Sequence, residues 1–275
     1  MDYTTPSSTG IHVIIVGAGF AGLTAAIECH RKGHSVLVLE SFRELKTLGD
    51  IISFGSNSGR IFQRWPGMDK LLDPIIHKSD GLLLKTWLGE DLLEQSWIFE
   101  RQNYGRSFNG HRGEIHEILF QYALHMGIDI RLGHNVEEYF ETAIEAGVIS
   151  NSQKFVGDIV LAADGVRSKG RTLVLGYDDK PKPSGYAVYR AWFDSTELAK
   201  DPDTAWLVNN GDRHCAWLGL VYTSRFDYLI LSDFRSRHPL YCCLDKEWKR
   251  VQLGMYSQGQ CSIQVLRVVV DKCPG

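Results

Sequence analysis

The sequence has no excess of charge of either sign and no long run of like charges. Its 30 lysines and arginines stand against 33 aspartates and glutamates, which gives a formal net charge of −3. This balance does not favour a nucleic-acid partner. No apolar run approaches the length of a membrane-spanning helix, and the polar residues 1–10 lack the pattern of a signal peptide. We therefore expect a cytoplasmic protein with no nucleic-acid partner and no membrane segment.

Cysteine and histidine are present, but not at the spacings of metal sites or redox pairs. None of the six cysteines forms a Cys-x-x-Cys pair, and Cys242 and Cys243 are adjacent, where a mutual disulfide would be strained. His111 and His116 are five residues apart and belong to no His-Glu-x-x-His motif. We expect reduced thiols and no bound metal. The 275 residues suffice for one large domain or two modest ones.

A glycine motif near the start carries the strongest functional signal. The apolar, β-branched run His12–Val16 predicts a buried strand, and small and apolar residues at helical spacing follow from Ala21. Between them Gly17 allows a tight turn, Gly19 lets a pyrophosphate approach the backbone, and Gly22 lets the helix pack close to its strand. The free N–H groups at the start of such a helix favour a phosphate.

An acidic residue follows this motif at the spacing that a dinucleotide site requires. The run Ser35–Leu39 predicts a second buried strand, and Glu40 at its end is placed to hydrogen-bond a ribose hydroxyl. A glycine-rich turn that only packs a helix on a sheet would explain the glycines but not Glu40. We therefore predict a dinucleotide-binding site.

The segment after Glu40 is less regular. The glycines of Leu48–Asn57 predict a loop returning towards the nucleotide, and Ser58 is a candidate cap for a short helix that ends at Pro66. Leu82–Trp87 and Leu92–Phe99 predict the two strands of a hairpin. These strands interrupt the alternation of strand and helix, which indicates substrate-domain structure inserted into the nucleotide domain.

An amphipathic helix is predicted next, with Arg112 at its start and Gly127 at its end. Apolar residues follow the spacing of one helical face at positions 115, 118, 119, 122, 123 and 126. A cation at a helix N-terminus is unfavourable unless an anion compensates it. Arg112 is thus either an anion-binding residue or an ordinary solvated one, and its position alone leaves both open.

Two further features stand in the second half of the chain. A strand through Ile159 ends at Asp164-Gly165, with Ser168 as a candidate cap of the next helix; a plain strand-end turn explains this equally well.

From about residue 180 the sequence pattern changes to successive strands with short polar turns, which predicts an antiparallel sheet. Arg190 lies in one of them among apolar and aromatic residues, so it either lines a pocket or pairs with an acid. At the end, weak helical patterns predict two helical segments, Leu244–Met255 and Ser262–Val270.

In this order, the glycine motif with Glu40, Arg112 opening a helix, and the motif from Asp164-Gly165 to Arg171 resemble the FAD-dependent aromatic monooxygenases of the salicylate hydroxylase type, including fungal biosynthetic members. The resemblance runs from about residue 11 to the end. It implies an enzyme that uses FAD, NAD(P)H and O2 to hydroxylate an aromatic or polyketide-like small molecule in secondary metabolism or aromatic catabolism. The cofactor carries the difficult chemistry in such enzymes.

The resemblance also implies roles for individual residues. Cofactor binding would fall to the three motif glycines, to Glu40 at the adenosine ribose, to Arg112 and to a second set of residues: Ser53, Asp164 and Gly165. Arg190 would line the active site on the substrate-side sheet. Family members also carry a second aspartate motif after that sheet, which this sequence lacks, and Asp50-Ile51 replace small residues near the flavin.

These departures leave a second hypothesis open, a truncated and inactive homologue with weak or no flavin binding. A third, a nicotinamide-dependent reductase, would require an acid–base group such as Tyr-x-x-x-Lys, which is absent.

The fold expected is α/β, a Rossmann-like FAD-binding domain with an inserted or appended, mostly antiparallel β substrate domain. We assign residues 1–80 and 101–180 to the first, and 81–100 and 181–275, with incomplete C-terminal helices, to the second. The sequence leaves the substrate and the oligomeric state open.

Overall fold

A computed structural model describes the backbone of residues 6–46, 49, 51–77, 80–86, 90–182, 187–193, 200 and 202, and of five further strands from residue 213 onward. Side chains are described up to residue 182, residues 85 and 86 excepted, and at residues 200 and 202. The chain consists of two compact units. The first comprises residues 1–49, 63–75 and 111–182, and the second comprises residues 50–62, 76–110 and 183–275.

Eighteen strands and six helices are assigned in the described residues, named here in chain order. Up to residue 111 they are β1 (His12–Val16), α1 (Phe20–Arg31), β2 (Ser35–Glu40), β3 (Ile51–Phe54), α2 (Ser56–Phe62), α3 (Met68–Leu72), β4 (Ile76–His77), β5 (Gly81–Thr86), β6 (Asp91–Ser96), α4 (Ile98–Tyr104) and β7 (Phe108–His111). After it come α5 (Arg112–His125), β8 (Asp129–Leu132), β9 (Val136–Glu141), β10 (Ala146–Ser150), β11 (Gln153–Gly157), β12 (Ile159–Ala162), α6 (Gly170–Leu175), β13 (Ala187–Phe193), β14 (Arg213–Leu220), β15 (Phe226–Leu231), β16 (His238–Leu244), β17 (Val251–Leu253) and β18 (Leu266–Val268).

The first unit is built on a parallel sheet with the strand order β12-β1-β2-β8. Successive side chains of a strand point to opposite faces. On one face Ile14 and Leu39 pack against Phe155 and its neighbours in the antiparallel sheet β11-β10-β9. On the other side of the core, α1 packs against α5, where Leu23, Ile27 and further residues are fully buried. Both faces of the parallel sheet are thus covered, as its continuous apolar strands require.

The second unit contains a three-stranded sheet and a six-stranded sheet. One has the order β3-β7-β4, and the other has the order β13-β16-β15-β14-β5-β6. In the larger sheet β14 and β5 run parallel, whereas its other described pairs are antiparallel. Phe62 makes edge-to-face contacts with Phe54 and Phe108, at ring-centroid distances of 5.1 and 5.5 Å. These rings join α2 to the smaller sheet.

The predicted α/β architecture, with a parallel nucleotide sheet and separate antiparallel sheets, is confirmed. The strands around Gly17 and Glu40, the hairpin β5-β6 and the helix from Arg112 to the Gly127 stop all form. The predicted strand around residues 205–208 lies outside the described residues. Within the described helices, none is long and apolar enough to cross a membrane.

Four local predictions are wrong. The segment predicted as a loop contains β3, because Ile51-Ile52 and Phe54 supply the apolar residues of a strand despite the glycines around them. Helix α2 begins before Ser58 and ends at Phe62, so Ser58 is no cap. The second hairpin strand ends at Ser96, where α4 soon begins.

The fourth wrong prediction concerns the chain end. The two segments predicted as weakly helical contain β17 and β18, which pair antiparallel with Val251 opposite Val268. Both strands alternate apolar and polar residues with period two, and this short-range pattern suits a strand better than a helix. The predicted C-terminal helices are therefore replaced, in the described part, by a two-stranded ribbon.

Candidate functional site

The turn after β1 needs glycine at Gly17. Its φ angle is +99°, and a Cβ atom there would lie 2.5 Å from the carbonyl oxygen of Ala163. Its N–H donates to the Leu39 carbonyl at 2.8 Å. The turn therefore passes between the ends of β2 and β12, and only a residue without a side chain fits there.

The next two glycines have different physical reasons. A Cβ on Gly22 would overlap the carbonyl oxygen of Gly17, so Gly22 permits α1 to start directly against the turn. Gly19 precedes α1 with ordinary φ and ψ of −72° and −177° and has no protein atom within 4 Å of a Cβ position. No side chain caps the start of α1. The start of α1 thus leaves its first N–H groups without a side-chain cap beside open space at Gly19, an environment in which helix N-termini favour phosphate groups.

Glu40 is held in place by three donors. One carboxylate oxygen accepts from the Ala18 N–H at 2.7 Å, and the other accepts from the Ser41 hydroxyl and the Phe42 N–H, each at 2.9 Å. A carboxylate has about four acceptor positions, so capacity remains for a ligand hydroxyl. The acid therefore sits at the edge of the turn, half-buried and oriented by the backbone.

Arg112 and His111 lie at the start of α5. Arg112 is exposed, and a Cβ on Gly49 would lie 3.1 Å from the Arg112 Cβ and Cδ atoms. His111 is the N-cap of α5: its Nδ1 accepts from the Glu114 N–H at 3.3 Å, and its Nε2 lies 2.8 Å from the Gly49 carbonyl oxygen. The start of α5 thus contacts Gly49 through both residues.

The Asp164-Gly165 turn is organised around one carboxylate oxygen. Asp164 Oδ2 accepts from the Tyr139 hydroxyl and the Lys169 N–H, each at 2.9 Å, and from the Gly170 N–H at 3.4 Å. Gly165 has a φ of +82° and open space around it. The carboxylate therefore fixes the turn between β12 and α6, as the plain strand-end explanation requires. The Ser168 hydroxyl accepts from the Arg171 N–H at 3.0 Å, but the N-cap position of α6 is occupied by Lys169 and not by Ser168.

The ionisation of this pair follows from its contacts. Burial raises the pKa of Asp164, but the hydroxyls of Ser168 and Tyr139 and the two backbone N–H groups stabilise the carboxylate, so the pKa lies below its ordinary value. Burial raises the pKa of the Tyr139 phenol, and the neighbouring Asp164 charge and their hydrogen bond raise it further. The pair is thus a carboxylate and a neutral phenol over the whole physiological range.

The first unit brings together most of the predicted site residues. Gly17 and Gly19 lie in the turn between β1 and α1, Gly22 lies in the first turn of α1, and Glu40 at the end of β2 is joined to them by the Ala18 N–H. Gly17 also lies against the backbone of Ala163-Asp164. Ser53 lies in β3 of the second unit and is exposed. Arg190 lies in β13, paired in register with Tyr241; its side chain lies outside the described residues.

The sequence analysis did not identify two residues that contact the site, His116 at the glycine turn and Tyr139 at the Asp164-Gly165 turn. His116 Nε2 lies 2.6 Å from the Ala18 carbonyl oxygen, and its ring meets Phe20 edge to face at 5.5 Å. Tyr139 reaches Asp164 from 25 positions earlier in the chain. Only the pairing of distant segments creates these contacts, so no local signal could have found them. Among the described residues no group of three or more His, Cys, Asp or Glu side chains could hold a metal ion.

Comparisons with known proteins point to flavin enzymes. The family model described as an FAD binding domain matches residues 12–47, which span the glycine turn and Glu40. The chain is 39% identical over 206 residues to Notoamide E oxidase notB' of Aspergillus versicolor, covering 74% of this chain and 45% of that protein. It is 36% identical over 221 residues to the Asperlicin C monooxygenase of Petromyces alliaceus, covering 76% of this chain and 45% of that protein.

Two solved structures are similar to this chain over most of its length. The crystal structure of CtdE in complex with FAD is 32% identical, with a TM-score of 0.69 over 86% of this chain and 59% of that one. The native crystal structure of FqzB is 29% identical, with a TM-score of 0.72 over 94% of this chain and 58% of that one. The chain thus spans about half the length of the curated relatives that it matches. The predicted kinship with fungal FAD-dependent monooxygenases is confirmed.

Proposed function

We propose that this chain, a homologue of fungal FAD-dependent monooxygenases, binds FAD and uses NAD(P)H and O2 to hydroxylate an aromatic or polyketide-like small molecule. The observation that carries the proposal is the turn from Gly17 to Gly22. It offers an uncapped helix start and open space at Gly19, and Glu40 is fixed at its edge. A turn that only packed α1 on the sheet would need Gly17 and Gly22 but would not need Gly19.

The residues present fit the adenosine end of FAD. The pyrophosphate would lie at Gly19 and the start of α1, where N–H groups and the helix dipole favour negative charge. The ribose would hydrogen-bond to Glu40, which keeps acceptor capacity beyond its three donors. This assignment explains why an acid is held rigidly at the end of β2.

The remaining cofactor contacts belong to the same proposal. Arg112 would meet the flavin cofactor with its exposed guanidinium, which offers five donors and a permanent positive charge. Asp164 and Gly165 would serve the region of the pyrophosphate and NAD(P)H, and Ser53 would be a further cofactor-binding residue. Arg190 would act on the substrate side. When bound, the flavin supplies the redox chemistry with oxygen; the chain binds, orients and shields it.

An absorption spectrum of the purified protein, followed by NADPH-oxidation assays with added FAD, tests the proposal. The proposal predicts a yellow protein with stoichiometric flavin and NADPH consumption that an aromatic substrate stimulates. The alternative of an inactive homologue predicts a colourless protein that takes up no added FAD. Flavin uptake without NADPH oxidation would support the binding site and contradict the proposed activity.

A further inference from the structure

The imidazole of His111 uses both of its nitrogens. Nδ1 accepts from the Glu114 N–H at 3.3 Å, so it carries no proton, and Nε2 must then carry the proton that it donates to the Gly49 carbonyl oxygen at 2.8 Å. A serine or asparagine would suffice to cap α5. The second bond therefore exceeds what helix capping requires.

Gly49 and Arg112 lie against each other at this point. Gly49 has a φ of +124°, and a Cβ atom there would crowd the Arg112 side chain at 3.1 Å. The Gly49 backbone therefore covers the aliphatic part of Arg112. His111 holds Gly49 by its carbonyl, and it also caps the first turn of the helix on which Arg112 stands. One side chain thus fixes both partners of this contact.

We propose that His111 is a positioning residue of the cofactor site, which locks the Gly49 segment and Arg112 into one arrangement for the bound flavin nucleotide. The inference rests on the proposed function, in which Arg112 meets the cofactor. His111 itself need not touch the cofactor, because it acts through its two backbone bonds. If His111 only capped α5, a substitution there would weaken FAD binding only as far as it lowers the stability of the fold.

Two substitutions separate the two bonds. His111→Ser keeps a capping hydroxyl for the Glu114 N–H but cannot reach the Gly49 carbonyl. His111→Gln can reach the Gly49 carbonyl with its amide N–H but leaves the helix start without this cap. His125→Ser, at the exposed end of the same helix, is the matched control.

FAD titrations, flavin absorption spectra and thermal unfolding are measured for all four proteins. We expect His111→Ser to lose only the modest stability of one hydrogen bond, since the cap is kept, but to raise the FAD dissociation constant about fivefold because Gly49 and Arg112 are no longer held together. Its bound flavin should show an altered absorption band. His111→Gln should be less stable yet bind FAD within about twofold of the wild type. His125→Ser should change neither quantity.

The opposite pattern overturns the inference. If FAD affinity follows stability, so that His111→Gln binds poorly and His111→Ser binds normally, His111 is only a cap and the proposed function is untouched. If the wild type takes up no FAD, the proposed function fails. Hydrogen exchange then tests the remaining claim that His111 holds Gly49 in place. Faster exchange in the Gly49 peptide of His111→Ser than in that of the wild type supports this claim, and unchanged exchange overturns it.

Discussion

The backbone N–H of Ala18 donates to the carboxylate of Glu40 at 2.7 Å. This bond joins the end of β2 to the middle of the glycine turn, so the acid and the turn form one piece. A ligand that binds through its phosphates to the turn is thereby offered a ribose acceptor in a fixed place. Because this bond holds Glu40 beside the turn, the acid can accept from a ribose only when the turn holds the rest of the same ligand.

Gly19→Val tests the open space beside the turn. Because the backbone angles of Gly19 suit any residue and no protein atom would meet its Cβ, the variant should fold and lose only about 1 kcal/mol in the free energy of unfolding, the cost of valine at a helix N-cap. Its side chain would occupy the pyrophosphate position, so FAD affinity should fall by more than about a hundredfold. Calorimetric titration with FAD measures it, with Ala143→Val as the control. Unchanged FAD affinity would show that the pyrophosphate does not bind at this turn.

Gly22→Ala should act on folding instead. A Cβ at this position overlaps the Gly17 carbonyl oxygen, which belongs to the backbone and cannot rotate away. We expect a loss of about 3 kcal/mol or more in the free energy of unfolding, as for other overpacked core positions. Denaturant titration measures it. Ala25→Gly on the same helix, at a cost of about 1 kcal/mol, is the control, and an equal cost for both would contradict the clash.

Glu40→Gln tests the ribose acceptor. Glutamine has one acceptor oxygen in place of two, and its amide would face one of the N–H groups that now donate to Glu40. FAD affinity should fall about tenfold. Glu44→Gln, four positions on and exposed, should bind like the wild type. An equal loss in the two variants would show that only the net charge matters.

Tyr139→Phe tests the carboxylate–phenol pair. A carboxylate with a lowered pKa stabilises the fold above its ordinary pKa, and this stability is lost as the pH falls through the lowered value. Removing the phenol should raise the pKa of Asp164 and cost at most about 1 kcal/mol at pH 7, since the pair is only half-buried. At a pH well below the lowered pKa the difference should shrink. Urea titrations at both pH values decide, and a difference that is unchanged or larger in acid would contradict the pair.

The sequence predicts the parts of the site that are local in the chain. Strand, turn, helix and acid follow within thirty residues of one another, and each has a composition that only a few structures satisfy, as at Gly17 and Glu40. The helix from Arg112 is equally local, because its apolar face is periodic. These parts form as predicted.

The contacts that no local pattern encodes could not be predicted. His111 and His116 are five positions apart and donate to the carbonyl oxygens of Gly49 and Ala18, which other parts of the chain bring near. At the chain end, pairing between Val251 and Val268 outweighs weak helical periodicity. The binding and catalytic roles of all the predicted site residues, Ser53 and Arg190 included, stay predictions.

The most direct test of the account compares FAD with FMN in flavin-fluorescence titrations of the purified chain. In the proposed function the site holds the adenosine end of FAD through Gly19 and Glu40, and FMN lacks that end. The account predicts one bound FAD per chain, an FMN dissociation constant at least about a hundredfold higher, and competition by ADP. Equal binding of FAD and FMN, or no effect of ADP, would contradict it.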